Sequence, residues 1–126
     1  MEKEFTICVA DRNPRVREFL KREMMASGYR VRLAENGREA VRWCYHPEPI
    51  DLLILDPDFP DMEGSALMKK IRSRIPALPV ILHTYPCDYE NFASLFSEAI
   101  FVEKQGNSVE RLKQLVSDLL FTMKPD

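Results

Sequence analysis

The chain has no Cys-x-x-Cys pair. Its three cysteines, Cys8, Cys44 and Cys87, are odd in number and widely spaced, which argues against a paired zinc or dithiol site and predicts reduced, mostly buried thiols of a cytoplasmic protein. No apolar run approaches the roughly 20 residues that a membrane span needs. The start, Met1-Glu2-Lys3-Glu4, is not an apolar secretion segment. A soluble chain with no membrane partner is therefore expected. Excess positive charge is also missing: the formal net charge is -2, so no strongly basic face attracts phosphate backbones, and direct nucleic-acid binding is not expected. The two histidines, His46 and His83, lack the spacing of a paired metal site and read as structural.

With 126 residues and 45% hydrophobic content, the chain can build one core and is too short for two ordinary domains, so residues 1–126 are read as one unit. Strand-like apolar runs recur at Phe5 to Val9, Tyr29 to Leu33, Ile50 to Leu55, Pro79 to Leu82 and Ile100 to Val102. Helix-like stretches separate them. Asn13-Pro14 opens the first as cap and first-turn residue, Val16, Phe19, Leu20 and Met24 repeat at helical spacing, and Gly28 stops it. Arg38 to Tyr45 forms the second and turns Ala40, Val41 and Cys44 inward. Glu63 to Arg74 forms the third, with Leu67 and Ile71 in step. Tyr89 to Glu98 forms the fourth, burying Phe92, Leu95 and Phe96. Ser108 to Phe121 forms the fifth, with Leu112, Leu115, Val116 and Leu119 as its buried stripe. Five alternations of strand and crossover helix predict an α/β, doubly wound, five-stranded parallel sheet covered on both faces by five helices. Ile50 to Leu55, apolar except at Asp51, suits the central strand.

Ligands in such sheets bind beyond the carboxyl ends of the strands. Those ends carry Asp11 after the first strand, Asp56 and Asp58 after the third, Thr84 after the fourth and Lys104 after the fifth. An aspartate can be a nucleophile toward a phosphoryl group when cations and donors hold the developing charge. Lys104 and Thr84 are such donors. Magnesium takes oxygen ligands, and Asp11, Asp56 and the backbone carbonyl of Asp58 could supply part of that shell. Each residue alone has a plainer reading. Asp56 alone would be a cap or loop acid, Lys104 a surface lysine, Thr84 a turn hydroxyl, Asp11 a contributor to the first helix cap, and Phe101 simple core. Their joint registration at one rim favours a site.

Ile7-Cys8-Val9-Ala10-Asp11, then Asp56-Pro57-Asp58-Phe59-Pro60-Asp61-Met62-Glu63-Gly64, then Pro79-Val80-Ile81-Leu82-His83-Thr84, then Phe101-Val102-Glu103-Lys104 resemble, in order and spacing, the motifs of response-regulator receiver domains. The resemblance covers Phe5 to Phe121. It implies a flavodoxin-like receiver fold and a role in phosphorelay signal transduction, with Asp56 as phosphoacceptor, Thr84 as switch hydroxyl, Lys104 as phosphate-pairing lysine and Phe101 as the aromatic rotamer switch. It further implies a histidine kinase or phosphotransfer protein as partner, and an output face made by the fourth helix, fifth strand and fifth helix, where a second copy of the chain is a candidate occupant. No turnover is implied beyond the domain's own phosphorylation and dephosphorylation. Whether residues 1–126 are a piece excised from a longer protein is left open.

Three positions depart from that pattern. Arg12 stands where the family has a second acid that touches the metal, which predicts weak Mg2+ binding. Its side chain reads as a solvated charge, an ion-pair partner of Asp56 or Asp58, or a built-in cation in the metal's place, with pairing favoured. Tyr85 replaces a small residue after the switch hydroxyl and would crowd a phosphodonor. Gln105 replaces a proline commonly associated with a cis bond, an isomer that costs about 2.5–4 kcal/mol without proline, so a trans loop of different shape is expected. Two other functions compete. One is a degenerate receiver acting as a phosphorylation-independent interaction module, favoured by Arg12 and Tyr85. The other is a phosphohydrolase resembling the haloacid-dehalogenase type, on Asp56-Pro57-Asp58. That second reading is disfavoured because the signature normally lies on the first strand and no adjacent acid pair follows Lys104.

Overall fold

The computed structural model describes residues 4–86 and 99–122. Within them the order is β1 Thr6–Ala10, α1 Pro14–Ala26, β2 Arg30–Ala34, α2 Gly37–Cys44, β3 Leu52–Leu55, α3 Gly64–Arg72, β4 Val80–Thr84, β5 Ile100–Glu103 and α4 Ser108–Thr122. The helix expected over Tyr89 to Glu98 and the thiol of Cys87 lie outside the described residues.

All four strand pairings are parallel, in the order β2-β1-β3-β4-β5. The chain starts in the second position, moves outward to β2, then returns past β1 to β3. That reversal creates the crevice between the carboxyl ends of β1 and β3. Side chains alternate across the sheet, and the core divides accordingly. Cys8, Ala10, Leu53, Leu55 and Leu82 face α2 and α3 with Ala40, Cys44, Leu67 and Ile71. Ile7, Val9, Leu52, Ile54 and Ile81 pack with Leu20 and Met24 of α1 and with Leu112 and Val116 of α4. All four residues of β3 are buried, as a strand covered on both faces requires.

Local chemistry sets the helix ends. The Asn13 side chain accepts from the Arg15 N–H with Pro14 in the first turn, and Asn36 does the same for Glu39. Asp61 reaches back to the exposed amides of α2, accepting from Gly37 N at 2.8 Å and Arg38 N at 3.1 Å. After α1 the chain turns through Gly28 at φ 96°, a left-handed conformation that glycine adopts without a Cβ penalty. The buried thiols are free. Burial raises the pKa of both, Cys44 to about 11, which leaves them unreactive at neutral pH.

Several expected boundaries and faces are corrected. Strand β3 begins at Leu52 rather than Ile50, because Asp51 exchanges bonds with Thr6 instead: its amide donates to Thr6 O at 2.7 Å and its Oδ2 accepts from Thr6 N at 2.8 Å. Strand β4 runs on to Thr84, since β5 continues alongside it to the pair Thr84↔Glu103. Phe19 was expected inward and is 40% exposed, because it borders an open cleft of about 320 Å³ between α1 and the ends of β4 and β5. In α4, Leu120 is buried while Leu119 is only partly so. Trp43 lies on α2, its indole Nε1 donating to Leu33 O at 3.0 Å, and Tyr45 donates to Lys70 O at 2.7 Å.

Candidate functional site

The register of β1 and β3 pairs Ala10 with Leu55, so the next residues on each strand, Asp11 and Asp56, emerge side by side. Asp56 is still tied to the sheet by its amide, which donates to Ala10 O at 2.9 Å. On the other flank, Lys104 N donates to Thr84 O at 2.9 Å, which places the lysine and the threonine hydroxyl on the same rim. Four strand ends thus converge.

Lys104 Nζ is the centre of the cluster. It lies 2.8 Å from Asp11 Oδ2 and 2.6 Å from Asp56 Oδ2, with side-chain exposures of 10%, 3% and 8% for Lys104, Asp11 and Asp56. Asp56 Oδ1 accepts from the Thr84 hydroxyl at 3.2 Å and from Asp58 N at 3.1 Å. Asp11 Oδ1 accepts from Asn13 N at 2.9 Å, and Arg17 holds the Asp11 carbonyl at 2.7 Å. Asp11 shapes the entry to α1 with one oxygen, as considered for it, and faces the lysine with the other.

Burial raises the Asp11 pKa above its ordinary value, against the opposing pull of Lys104 and the Asn13 amide. For Lys104, burial opposes the charged form, but the hydrogen bonds and charges of Asp11 and Asp56 outweigh it and raise the pKa. The ammonium is charged across the ordinary pH range. Exposed ion pairs are weak, whereas removing one partner from a pair this dry is costly because the other charge is left buried and unpaired.

The three departures are visible in the geometry. Arg12 pairs with Asp58, NH2 to Oδ2 at 3.1 Å, rather than with Asp56, and the bridge is open to solvent with exposures of 57% and 45%. Tyr85 is 52% exposed, and its ring centroid stands 5.3 Å from Lys104 Nζ, a cation–π arrangement that covers one side of the lysine. The Lys104–Gln105 peptide is trans, the cis bond among the described residues being Ile75–Pro76. Phe101 is half-buried in β5 and packs against the α2/α3 side of the core.

Asp11, Asp56 and the Asp58 carbonyl offer the oxygen chemistry that Mg2+ prefers. Yet all four carboxylate oxygens of Asp11 and Asp56 already accept protein hydrogen bonds. Among the described residues, no three His, Cys, Asp or Glu side chains gather as a metal cluster. These residues offer only a partial shell, which a cation would share with Lys104.

His83, read as structural, is buried at 4% exposure and its Nε2 lies 3.0 Å from Ser108 Oγ, joining β4 to the start of α4, a partner not read from the sequence; among the described residues its buried Nδ1 has no partner. The two residues are 25 positions apart, and no local pattern links them. Burial, then the charge of Lys104, lowers the His83 pKa to about 4 against the pull of Asp56. The folded state therefore refuses a proton that the unfolded chain takes up from pH 6.5 downward. Stability linked to His83 is full above that pH and is lost as pH falls toward 4, by a total of about 3 kcal/mol. His83→Gln is expected to flatten this part of the pH–stability curve, measured by urea unfolding at pH 7 and pH 4.5. An equal acid loss in the variant would assign it to other groups.

Comparisons with known proteins point to one family. A family model described as "Response regulator receiver domain" matches residues 7–117. The DNA-binding transcriptional regulator NtrC of Escherichia coli (strain K12) is 33% identical over 95 residues, covering 75% of this chain and 20% of that protein. The response regulator MprA of Mycobacterium leprae (strain TN) is 31% identical over 121 residues, covering 95% of this chain and 53% of that protein. The chain thus spans between a fifth and about half of these relatives. The crystal structure of the response regulator protein TrrA from Thermotoga maritima, in complex with Mg(2+)-BeF, superimposes with a TM-score of 0.80 at 34% identity, covering 92% of this chain and 99% of that one.

Proposed function

Because this chain belongs to the response regulator receiver domain family of two-component signalling, we propose that it accepts a phosphoryl group on Asp56 from a histidine kinase or phosphotransfer protein and responds by switching a protein-interaction surface. The observation that carries this reading is the single carboxylate held by Thr84 Oγ1 at 3.2 Å and by Lys104 Nζ at 2.6 Å. An Asp56 oxygen would attack phosphorus, the bond from phosphorus to the donor would break with its electron pair leaving on the donor, and an acyl phosphate would form. Thr84 and Lys104 would take the product's oxygens. Mg2+, which receiver domains bind in general, would be held weakly by Asp11, Asp56 and the Asp58 carbonyl, with Arg12 opposing it. Its contribution would be charge neutralisation.

Receiver domains are not an enzyme family in the usual sense, and we read this one as having no turnover beyond its own phosphorylation cycle. Residues 1–126 are read as one receiver domain without direct nucleic-acid contact. Among the described residues no helix is long and apolar enough to cross a membrane, which is compatible with a cytoplasmic place. The output face is proposed to combine the helix expected over Tyr89 to Glu98 with β5 and α4, since Thr84 and Phe101 lie at its edge. Phosphate drawing in the Thr84 hydroxyl would open space for the Phe101 ring, a two-state repacking. A phosphorylation-independent interaction module is the second reading, favoured by the Arg12–Asp58 bridge and the Tyr85 ring over Lys104. Hydrogen exchange with and without a small phosphodonor separates the two. Altered protection around β5 and α4 in wild type and none in Asp56→Asn is expected; modification accompanied by changes only around α1 and α2 would contradict the proposed face.

A further inference from the structure

We propose that Arg12 acts as an in-built cation for the Asp56 site, so that a phosphoryl-like anion is bound there without a divalent metal. The inference rests on the reading of Asp56 as the group that receives such an anion. Three carboxylates, Asp11, Asp56 and Asp58, meet two cations, Lys104 and Arg12, in hydrogen-bond or ion-pair contact. Lys104 is already shared by two of the acids. An incoming anion therefore needs a further positive charge, and the described residues gather no metal cluster to supply it. A divalent ion would also have to share Asp11 Oδ2 and Asp56 Oδ2 with Lys104, which stands 2.8 and 2.6 Å from them.

Arg12 has the chemistry, the position and the freedom. Its guanidinium bridges from the β1–α1 turn to Asp58, whose own amide donates to Asp56 Oδ1 at 3.1 Å. The charge is thus linked to Asp56 through Asp58, and Arg12 is next in sequence to Asp11, which shares Lys104 with Asp56. Guanidinium binds phosphoryl oxygens bidentately. The bridge it would leave is more than half exposed on the Arg12 side, and such pairs are worth little, so turning from Asp58 to an oxyanion costs little. The backbone beneath it is fixed by the Asn13 amide on Asp11 Oδ1 and by Arg17 on the Asp11 carbonyl. Only the side chain need move.

The test is binding of beryllofluoride, followed by fluorine NMR, in metal-free buffer and with Mg2+, for wild type, Arg12→Ala, Arg12→Lys and Arg12→Asp. Thermal unfolding confirms that each variant is folded, as expected for so exposed a side chain. Wild-type affinity should differ less than threefold between the two buffers. Arg12→Ala should lose at least tenfold in metal-free buffer, Arg12→Lys should recover part of that loss, and Arg12→Asp should bind only with Mg2+. Wild type that needs Mg2+, or Arg12→Ala equal to wild type in metal-free buffer, overturns the proposal. If Arg12→Asp binds with Mg2+ while wild type binds in neither buffer, this inference fails and the Asp56 reading survives. If no variant binds in either buffer, the Asp56 reading fails with it.

Discussion

Lys104→Met is expected to lower the unfolding free energy at pH 7 by about 3–5 kcal/mol, the cost typical of removing one partner from a buried ion pair. The substitution keeps most of the stem's volume and removes the charge that Asp11 and Asp56 share at 2.8 and 2.6 Å. Two nearly dry carboxylates then face each other, and the pair holds on to a proton because both cannot ionise cheaply. Asp11 already has a raised pKa from burial even with the lysine present. With folded-state pKa values raised above the unfolded ones, the variant's folded state binds more protons than its unfolded chain. Its stability is fully present below the unfolded carboxylate pKa and is lost as pH rises through the folded value. The deficit relative to wild type should therefore shrink markedly between pH 7 and pH 5 in urea unfolding. A deficit below about 1 kcal/mol, or one equal at both pH values, would show that the cluster is better solvated than its geometry indicates.

Arg12→Asp is expected to strengthen Mg2+ binding at least tenfold, followed by titration of tyrosine and tryptophan fluorescence. The change removes a positive charge and supplies a carboxylate beside Asp11, where a third oxygen side chain is otherwise lacking. At 4 Å and an effective dielectric of about 20, one unit charge acts on another with about 4 kcal/mol. Relaxation and the existing Lys104 bonds reduce that gain, which is why the expected factor is set at its lower bound. Unchanged affinity would mean that Arg12, 57% exposed and paired with Asp58, stands too far out to oppose a cation.

Much of this architecture is legible from apolar spacing, because a parallel sheet covered on both faces leaves near-continuous runs such as Leu52 to Leu55, and caps such as Asn13-Pro14 mark helix starts. The strand ends follow, and with them the convergence of Asp11, Asp56, Thr84 and Lys104. Other features depend on where elements sit in space. Phe19 has the spacing of a buried residue, yet the side of α1 that it occupies overhangs the cleft beyond β4 and β5. Arg12 pairs with Asp58 while Lys104 occupies Asp56, a choice that only the placement of the side chains in space makes. Tyr85 was expected to crowd a phosphodonor, and the stand of its ring over Lys104 is a contact that no spacing conveys. The contact between His83 and Ser108 needs β4 and the start of α4 to be neighbours, which no periodicity within either segment conveys.

Asp56 is the proposed phosphoacceptor. Wild type and Asp56→Asn should be incubated with a small phosphodonor, with and without Mg2+, then weighed intact and mapped by peptide fragmentation. One phosphoryl mass on the wild-type peptide containing Asp56, and no gain in Asp56→Asn, is the predicted result. An adduct on Asp11 or Asp58 in wild type, or an equal mass gain in Asp56→Asn, would contradict it.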